Sequence, residues 1–166
     1  MSLLKEISIT KLSNLRIGHA SDYNAQTGVT VLYFPLGAKV GCDISGGGPA
    51  SRETPLTSPV TADNPINAIV LSGGSAYGLA AADGVMNYLE SQNIGYNTGA
   101  ALVPLVCQSC IYDLGYGSAT VRPEILKYVQ LQKWAKKPAV RHLQEQIPEP
   151  EISVQVPVQL WENFTV

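Results

Sequence analysis

Cys107 and Cys110 stand three residues apart, a spacing at which two thiols can share a metal ion or form a redox pair. A zinc site needs two more ligands at matching spacing, and the only other candidates of that type are Cys42, His19 and His142, each isolated. A thiol-redox motif opens a helix after a strand, whereas Ile111-Tyr112-Asp113-Leu114 follows here. Both cysteines are therefore read as structural, small apolar side chains of a packed interior. No metal and no cofactor is expected from these patterns.

Two other stretches could do chemistry. Asp43-Ile44-Ser45-Gly46-Gly47-Gly48-Pro49, with Arg52 close behind, could curl its backbone N–H groups into an anion nest. It matches neither nucleotide-loop pattern, and the plainer reading is a tight turn needing positive φ. Ser75 lies in Gly73-Gly74-Ser75-Ala76-Tyr77-Gly78, between an expected strand and an expected helix, the setting of a hydrolase nucleophile. Yet Tyr77 stands where that motif has glycine, and no His follows until His142. Ser75 is read instead as the helix N-cap, its hydroxyl satisfying an orphan N–H of the first turn.

These residues need elements to hold them. The segments 6–10 and 15–19 read as short strands. Residues 28–34 (GVTVLYF) are rich in β-branched and aromatic side chains and read as a strand. Pro35-Leu36-Gly37 is expected to reverse the chain into a partner strand over 38–44, making a hairpin. Residues 45–59, with three consecutive Gly and three Pro, read as a long ordered loop. The apolar run 67–71 reads as a buried strand. From 76 to 90 the period becomes helical, with Leu79, Ala82, Val85, Met86 and Leu89 on one stripe. Residues 93–95 end that helix, 102–106 form a buried strand, and 115–118 turn. A second helix is expected over 124–137, with Ile125, Tyr128, Val129 and Trp134 as its stripe. Residues 152–158 alternate like a strand, but Pro157 confines it to an edge.

Composition bounds the function. Of 166 residues, 45% are hydrophobic and 14% charged, against about 25% charged in an average domain. That excludes a disordered chain. The formal net charge of -2 gives no electrostatic reason to expect nucleic acid or an anionic membrane. No apolar run approaches the ~20 residues of a membrane helix, and the start lacks a signal-peptide pattern. Three cysteines do not make a disulfide framework, so a reducing, cytoplasmic setting is expected. All 15 Gly lie between Gly18 and Gly117, and both Trp, Trp134 and Trp161, come after. Residues 1–120 carry 5 basic and 8 acidic side chains, whereas the much shorter 121–166 carries 6 and 5. A boundary therefore falls near Arg122-Pro123, dividing a body (1–123) from a more charged tail (124–166).

Taken together, Leu15-Arg16-Ile17-Gly18-His19-Ala20, Thr27-Gly28-Val29-Thr30-Val31, 43–54 (DISGGGPASRET), 67–79 (NAIVLSGGSAYGL) with 82–86 (ADGVM), and Ile111-Tyr112-Asp113-Leu114-Gly115 form a specific set. In this order they resemble the L-aminopeptidase/D-amino-acid esterase family, the DmpA-type self-processing peptidases. The resemblance runs from about residue 7 to Pro123. It implies an α+β chain that is part of a four-layer αββα sandwich, here incomplete. It implies hydrolysis of aminoacyl peptide, amide or ester bonds without a metal, by a Ser or Thr exposed at a new N-terminus after self-cleavage. The family's nucleophile lies in a Gly-rich second half, which nothing from Glu124 to Val166 resembles, so this chain reads as an α-part without a nucleophile. Of the active-site groups, only a tyrosine that positions substrate or stabilises an oxyanion carries over, and Tyr112 is its best match. The alternative is a non-catalytic remnant or assembly subunit with the same fold. Either way the low charge of the body implies a covered face, by a homo-oligomer or a complementary β-part.

Overall fold

The computed structural model of the chain describes residues 9–123 and the short segment Phe164–Thr165. Strand β1 (Arg16–Asp22) pairs antiparallel with β2 (Thr27–Ala38), in register from Arg16 opposite Tyr33 to Asp22 opposite Thr27. Asp22 Oδ1 accepts the Ala25 N–H at 2.9 Å and closes the turn between them, the local bonding for which Asp is favoured in turns. Then come β3 (Gly41–Cys42), β4 (Ala50–Arg52) and β5 (Ile66–Ser72). A 3-10 turn, Ser75–Ala80, leads into helix α1 (Ala81–Ser91). Strands β6 (Tyr96–Asn97) and β7 (Leu102–Val103) make a small hairpin before β8 (Val106–Cys110). Strand β9 (Phe164–Thr165) pairs antiparallel with β3.

Five strands form the main sheet in the order β1-β2-β5-β8-β4. Only β5 and β8 run parallel, because α1 carries the chain back across the sheet between them. The period of two along each strand divides the side chains between two faces. Val29, Val31, Val70 and Val106 pack with Ala82, Val85 and Leu89 of α1. Phe34, Ile66, Ile69 and Cys107 form a second buried cluster. Each large apolar side chain so buried contributes ~1.5–3 kcal/mol before conformational entropy is subtracted.

The described body is thus mixed α+β, mostly sheet with one helix, as the sequence leads one to expect. Several boundaries differ. Residues 9–11 form a 3-10 turn rather than the end of a strand. The chain does not reverse at Pro35–Gly37: β2 runs on to Ala38, with an irregularity in its pairing to β5 between Tyr33 and Ala38. Asn14 makes this possible, its Oδ1 accepting the Leu36 N–H at 2.7 Å and its Nδ2 donating to Gly37 O at 2.8 Å. A side chain thus replaces ladder bonds that the bulged backbone cannot make. The loop 45–59 contains β4 and a 3-10 turn, Thr54–Thr57. The strand expected over 102–106 is split at Pro104, which has no N–H to give a ladder, and its buried part lies at Val106–Cys110. The helix over 124–137, the strand over 152–158 and both Trp lie outside the described residues.

Leu89 is 1% exposed against the sheet, while Val60 is 90% exposed. Leu89→Ala should therefore cost about 2–5 kcal/mol of stability, cavity included, and Val60→Ala less than about 0.5 kcal/mol. Urea unfolding of the two variants checks this; equal midpoints would mean that the helix is not packed as described.

Candidate functional site

Because β5 and β8 are parallel neighbours, their carboxyl ends, Ser72 and Cys110, lie side by side. In open sheets that is where the connecting loops converge and ligands bind. Here the loops are tied together by backbone bonds of 2.9 Å: Gly73 N–H to Gly28 O, Ile111 N–H to Ser72 O, and Ser75 N–H to Ile111 O.

Asp113 completes the tie. Its Oδ1 accepts the Gly74 N–H at 2.7 Å, and its Oδ2 accepts the Thr27 hydroxyl at 2.7 Å. One carboxylate thereby joins the start of β2, the turn after β5 and the loop after β8. Hydrogen bonds to a charged group contribute about 1.5–3 kcal/mol each. The fit leaves no room for a side chain at Gly73, where a Cβ would overlap both Asp113 Oδ2 and Thr27 Oγ1. Gly74 follows at φ 86 and Ser75 at φ 54, so two successive residues are left-handed. For Ser75 this conformation costs ~1–2 kcal/mol.

That backbone overturns the expectation that Ser75 caps the helix. The residue before the first turn is Gly74, no side chain caps it, and the Asp113 carboxylate takes the Gly74 N–H instead. Ser75 does stand on a strained turn between strand and helix, as a hydrolase nucleophile would. Among the described residues no imidazole serves it. His19, on β1, hydrogen-bonds Thr30 at 2.8 Å, and Thr30 pairs with Leu71, so His19 lies two strands away, about 10 Å across the sheet. His142 lies outside the described residues.

Beneath the turn, Gln108 is fully buried. Its Nε2 donates to Gly78 O at 2.7 Å and to Ser72 Oγ at 2.9 Å, which fixes the first turn of the helical segment to the sheet. Its Oε1 is buried and has no hydrogen-bond partner in the described body. Tyr112 sits at the rim, 75% exposed, its backbone held between the bonded Ile111 and the clamped Asp113. Tyr77 and Arg122 meet at the same rim, the guanidinium carbon 3.4 Å from the ring centroid.

The remaining candidates disperse. Cys107 and Cys110 project to opposite faces of β8: Cys107 joins the Phe34 cluster, whereas Cys110 Sγ lies 3.1 Å from Ser72 Oγ on the helix side. Three residues along a strand cannot bring two thiols onto one ion. Burial raises both thiols above their ordinary range, Cys107 to about 12, with Glu53 and Cys42 adding to that shift. Among the described residues no cluster of His, Cys, Asp or Glu could hold a metal. Arg52 turns away from the glycine loop to pair with Asp83, its Nη2 3.3 Å from Met86 Sδ. In the glycine loop only Gly46 has a positive φ. Asp113 was within reach of sequence reasoning, since it stands in the quoted Ile-Tyr-Asp-Leu-Gly stretch, but nothing local marks Thr27 or Gln108 as its neighbours in space.

The profile of peptidase family S58 matches residues 8–128. An uncharacterized aminopeptidase of Mycobacterium tuberculosis is 40% identical over 124 residues, which cover 70% of this chain and 36% of that protein. A counterpart from Mycobacterium leprae is 40% identical over 124 residues, 70% of this chain and 34% of that one. A 6-aminohexanoate-oligomer endohydrolase of Kocuria sp. is 34% identical over 108 residues, 65% of this chain and 28% of the relative. The chain spans about a third of the length of the curated relatives it matches.

Two outcomes follow from this geometry. Gly73→Ala forces a methyl group against Asp113 and Thr27 and should cost about 1–3 kcal/mol. The penalty should shrink in an Asp113→Ala background, and additive losses across the four proteins would refute the clamp. Cys107 gives a pH dependence. The unfolded chain loses this proton above about pH 9, while the folded one keeps it to about 12, so stability falls as pH rises through that window. The slope is at most about 1.4 kcal/mol per pH unit. Urea midpoints at pH 8, 9 and 10 should fall more steeply for the parent than for Cys107→Ala, and parallel curves would remove the assignment.

Proposed function

The chain belongs to peptidase family S58, and from that membership we propose that it supplies the substrate-positioning part of an aminopeptidase that cleaves amide and ester bonds. The observation that carries this reading is the match over residues 8–128, which takes in the Gly73–Ser75 turn, Tyr112 and Asp113. The match ends close to the compositional boundary at Pro123, which supports treating 1–123 as the peptidase-like body and 124–166 as a separate segment.

In this reading the body is one sheet-and-helix half of an αββα sandwich, and the face opposite α1 receives the second sheet. The nucleophile is a Ser or Thr at the N-terminus of a second part. Its hydroxyl adds to the acyl carbon while its own amino group takes the proton and passes it to the departing amine or alkoxide. Water then cleaves the acyl ester and restores the hydroxyl. Tyr112 donates its O–H to the carbonyl oxygen as negative charge gathers there, and Asp113 holds the loop that presents it. Removing one such donor costs about 10²- to 10³-fold in rate. The sparse charge of the body supports a covered face, in a homo-oligomer or against that second part.

The test is complementation. The purified 166-residue chain should hydrolyse L-aminoacyl-p-nitroanilides no faster than buffer. Co-expressed with the part of the Mycobacterium tuberculosis relative beyond the matched stretch, it should gain turnover, and Tyr112→Phe should lower kcat at least tenfold. Activity of the chain alone that disappears in Ser75→Ala would replace this reading with a serine hydrolase. A stable complex without turnover would point to an assembly subunit.

A further inference from the structure

Strand β3 stands outside the main sheet. Among the described residues it pairs as a strand only with β9, Gly41 opposite Thr165 and Cys42 opposite Phe164. A side-chain hydrogen bond between Thr57 and Cys42 adds one further tie. Straight after β3 the chain enters the glycine loop, and residues 43–49 are all exposed. A Cβ built on Gly46, Gly47 or Gly48 would meet nothing within 4 Å, so no packing holds the middle of this loop. Its far end is fixed, because Ala50 begins β4 and stands opposite Cys110.

That far end lies beside the candidate site. Ser72 and Ala50 flank Cys110 on the two sides of β8. The loop therefore arrives two strands from the end of β5, roughly 10 Å across the sheet. Its near end is the one whose restraint can change, and that restraint is the last strand of the chain. The chain leaves the body at Pro123, which is buried with its Cδ 3.0 Å from where a Cβ on Gly74 would stand. It is back on the body at Phe164, on β3. The segment after Pro123 is thus joined to the body twice, once at the turn and once beside the glycine loop.

We propose that β3 is a strand-addition edge whose ligand is the chain's own C-terminal strand, Phe164–Thr165, and that this pairing straps down the glycine loop beside the site. An extended segment added to an open edge is held by main-chain hydrogen bonds, which two facing residues can already make. The ladder is short, and each hydrogen bond in it is worth about a fivefold change in an opening equilibrium. The strap is therefore strong enough to order the start of the loop and weak enough to release it. The pairing needs neither substrate nor turnover, so it stands apart from the hydrolase reading.

The Cys42 thiol is the reporter. It is half-buried, whereas Cys107 and Cys110 are buried. Burial raises it above its ordinary range, and Asp43 adds to the rise. Uncovering β3 therefore admits reagent and eases ionisation together. Labelling of Cys42 by N-ethylmaleimide, read by peptide mass spectrometry, is measured in the full 166-residue chain and in two variants. One ends at Asn163, and the other is Phe164→Pro with Thr165→Pro, which removes both N–H donors. Both variants should label at least about fivefold faster than the parent. Hydrogen exchange over residues 41–49 should rise in both, while β5 and β8 keep the parent's protection. Labelling and exchange equal to the parent's would overturn the proposal. Faster exchange in β5 and β8 as well would also overturn it, since the last strand would then hold the whole body rather than the loop. The parent's labelling rate should not vary with protein concentration. Labelling that slows as concentration rises would assign the added strand to a second copy and overturn the strap within one chain. Complementation judges the hydrolase reading separately, whichever result is found.

Discussion

The carboxylate of Asp113 is the constraint on which the described site depends. Its partners, Gly74 and Thr27, belong to segments that β-sheet pairing alone would bring near one another but not hold in one arrangement. The missing side chain at Gly73 is the other half of the same fit, because the carboxylate and the Thr27 hydroxyl fill the space it would occupy. The left-handed backbone at Gly74 and Ser75 persists because three separate bonds fix its ends, those from Gly73, Gly74 and Ser75 N–H. Strain held in this way is stored locally and offset by the surrounding ties. Without the carboxylate the turn and the loop bearing Tyr112 keep their backbone bonds but lose the side-chain tie to Gly74 and Thr27.

How much of this was legible in the sequence follows from the range of the forces involved. Strands with a strong alternating or continuous apolar pattern, such as 28–34 and 67–71, and the stripe from Leu79 to Leu89, were readable because their signal is local. The continuation of β2 through Pro35 and Gly37 was not, because it depends on Asn14, more than twenty residues earlier in the chain. The reading of Ser75 as a cap failed for a similar reason: a carboxylate from Asp113 does what the local hydroxyl was expected to do. Cys107 and Cys110 are both buried, and their opposite faces follow from the strand period only once β8 is seen to run from Val106 to Cys110, beyond the strand expected over 102–106. The stack of Tyr77 and Arg122 joins residues that no short-range pattern relates.

Gln108 shows how the interior serves the surface. A buried amide in the middle of an apolar strand costs free energy unless it is bonded, and here its two N–H bonds join sheet to helical turn. The helix thus begins at a height set by a side chain from β8, not only by apolar packing. Together with Asp113 on the outer side, this holds the turn between an inner and an outer polar contact.

The order of strands in the sheet also governs how the chain assembles. The β1–β2 hairpin closes across a short turn, whereas pairing of Arg52 with Gln108 closes a loop of more than fifty residues. Loop-closure entropy makes the second contact late. Until β4 arrives, the edge of β8 stands open, and no Asp, Glu, Lys or Arg lies anywhere between Glu90 and Asp113 to repel a second chain. An uncharged, β-rich edge of that kind templates intermolecular pairing. The three residues of β4 therefore cover an uncharged edge that would otherwise stand open to a second chain.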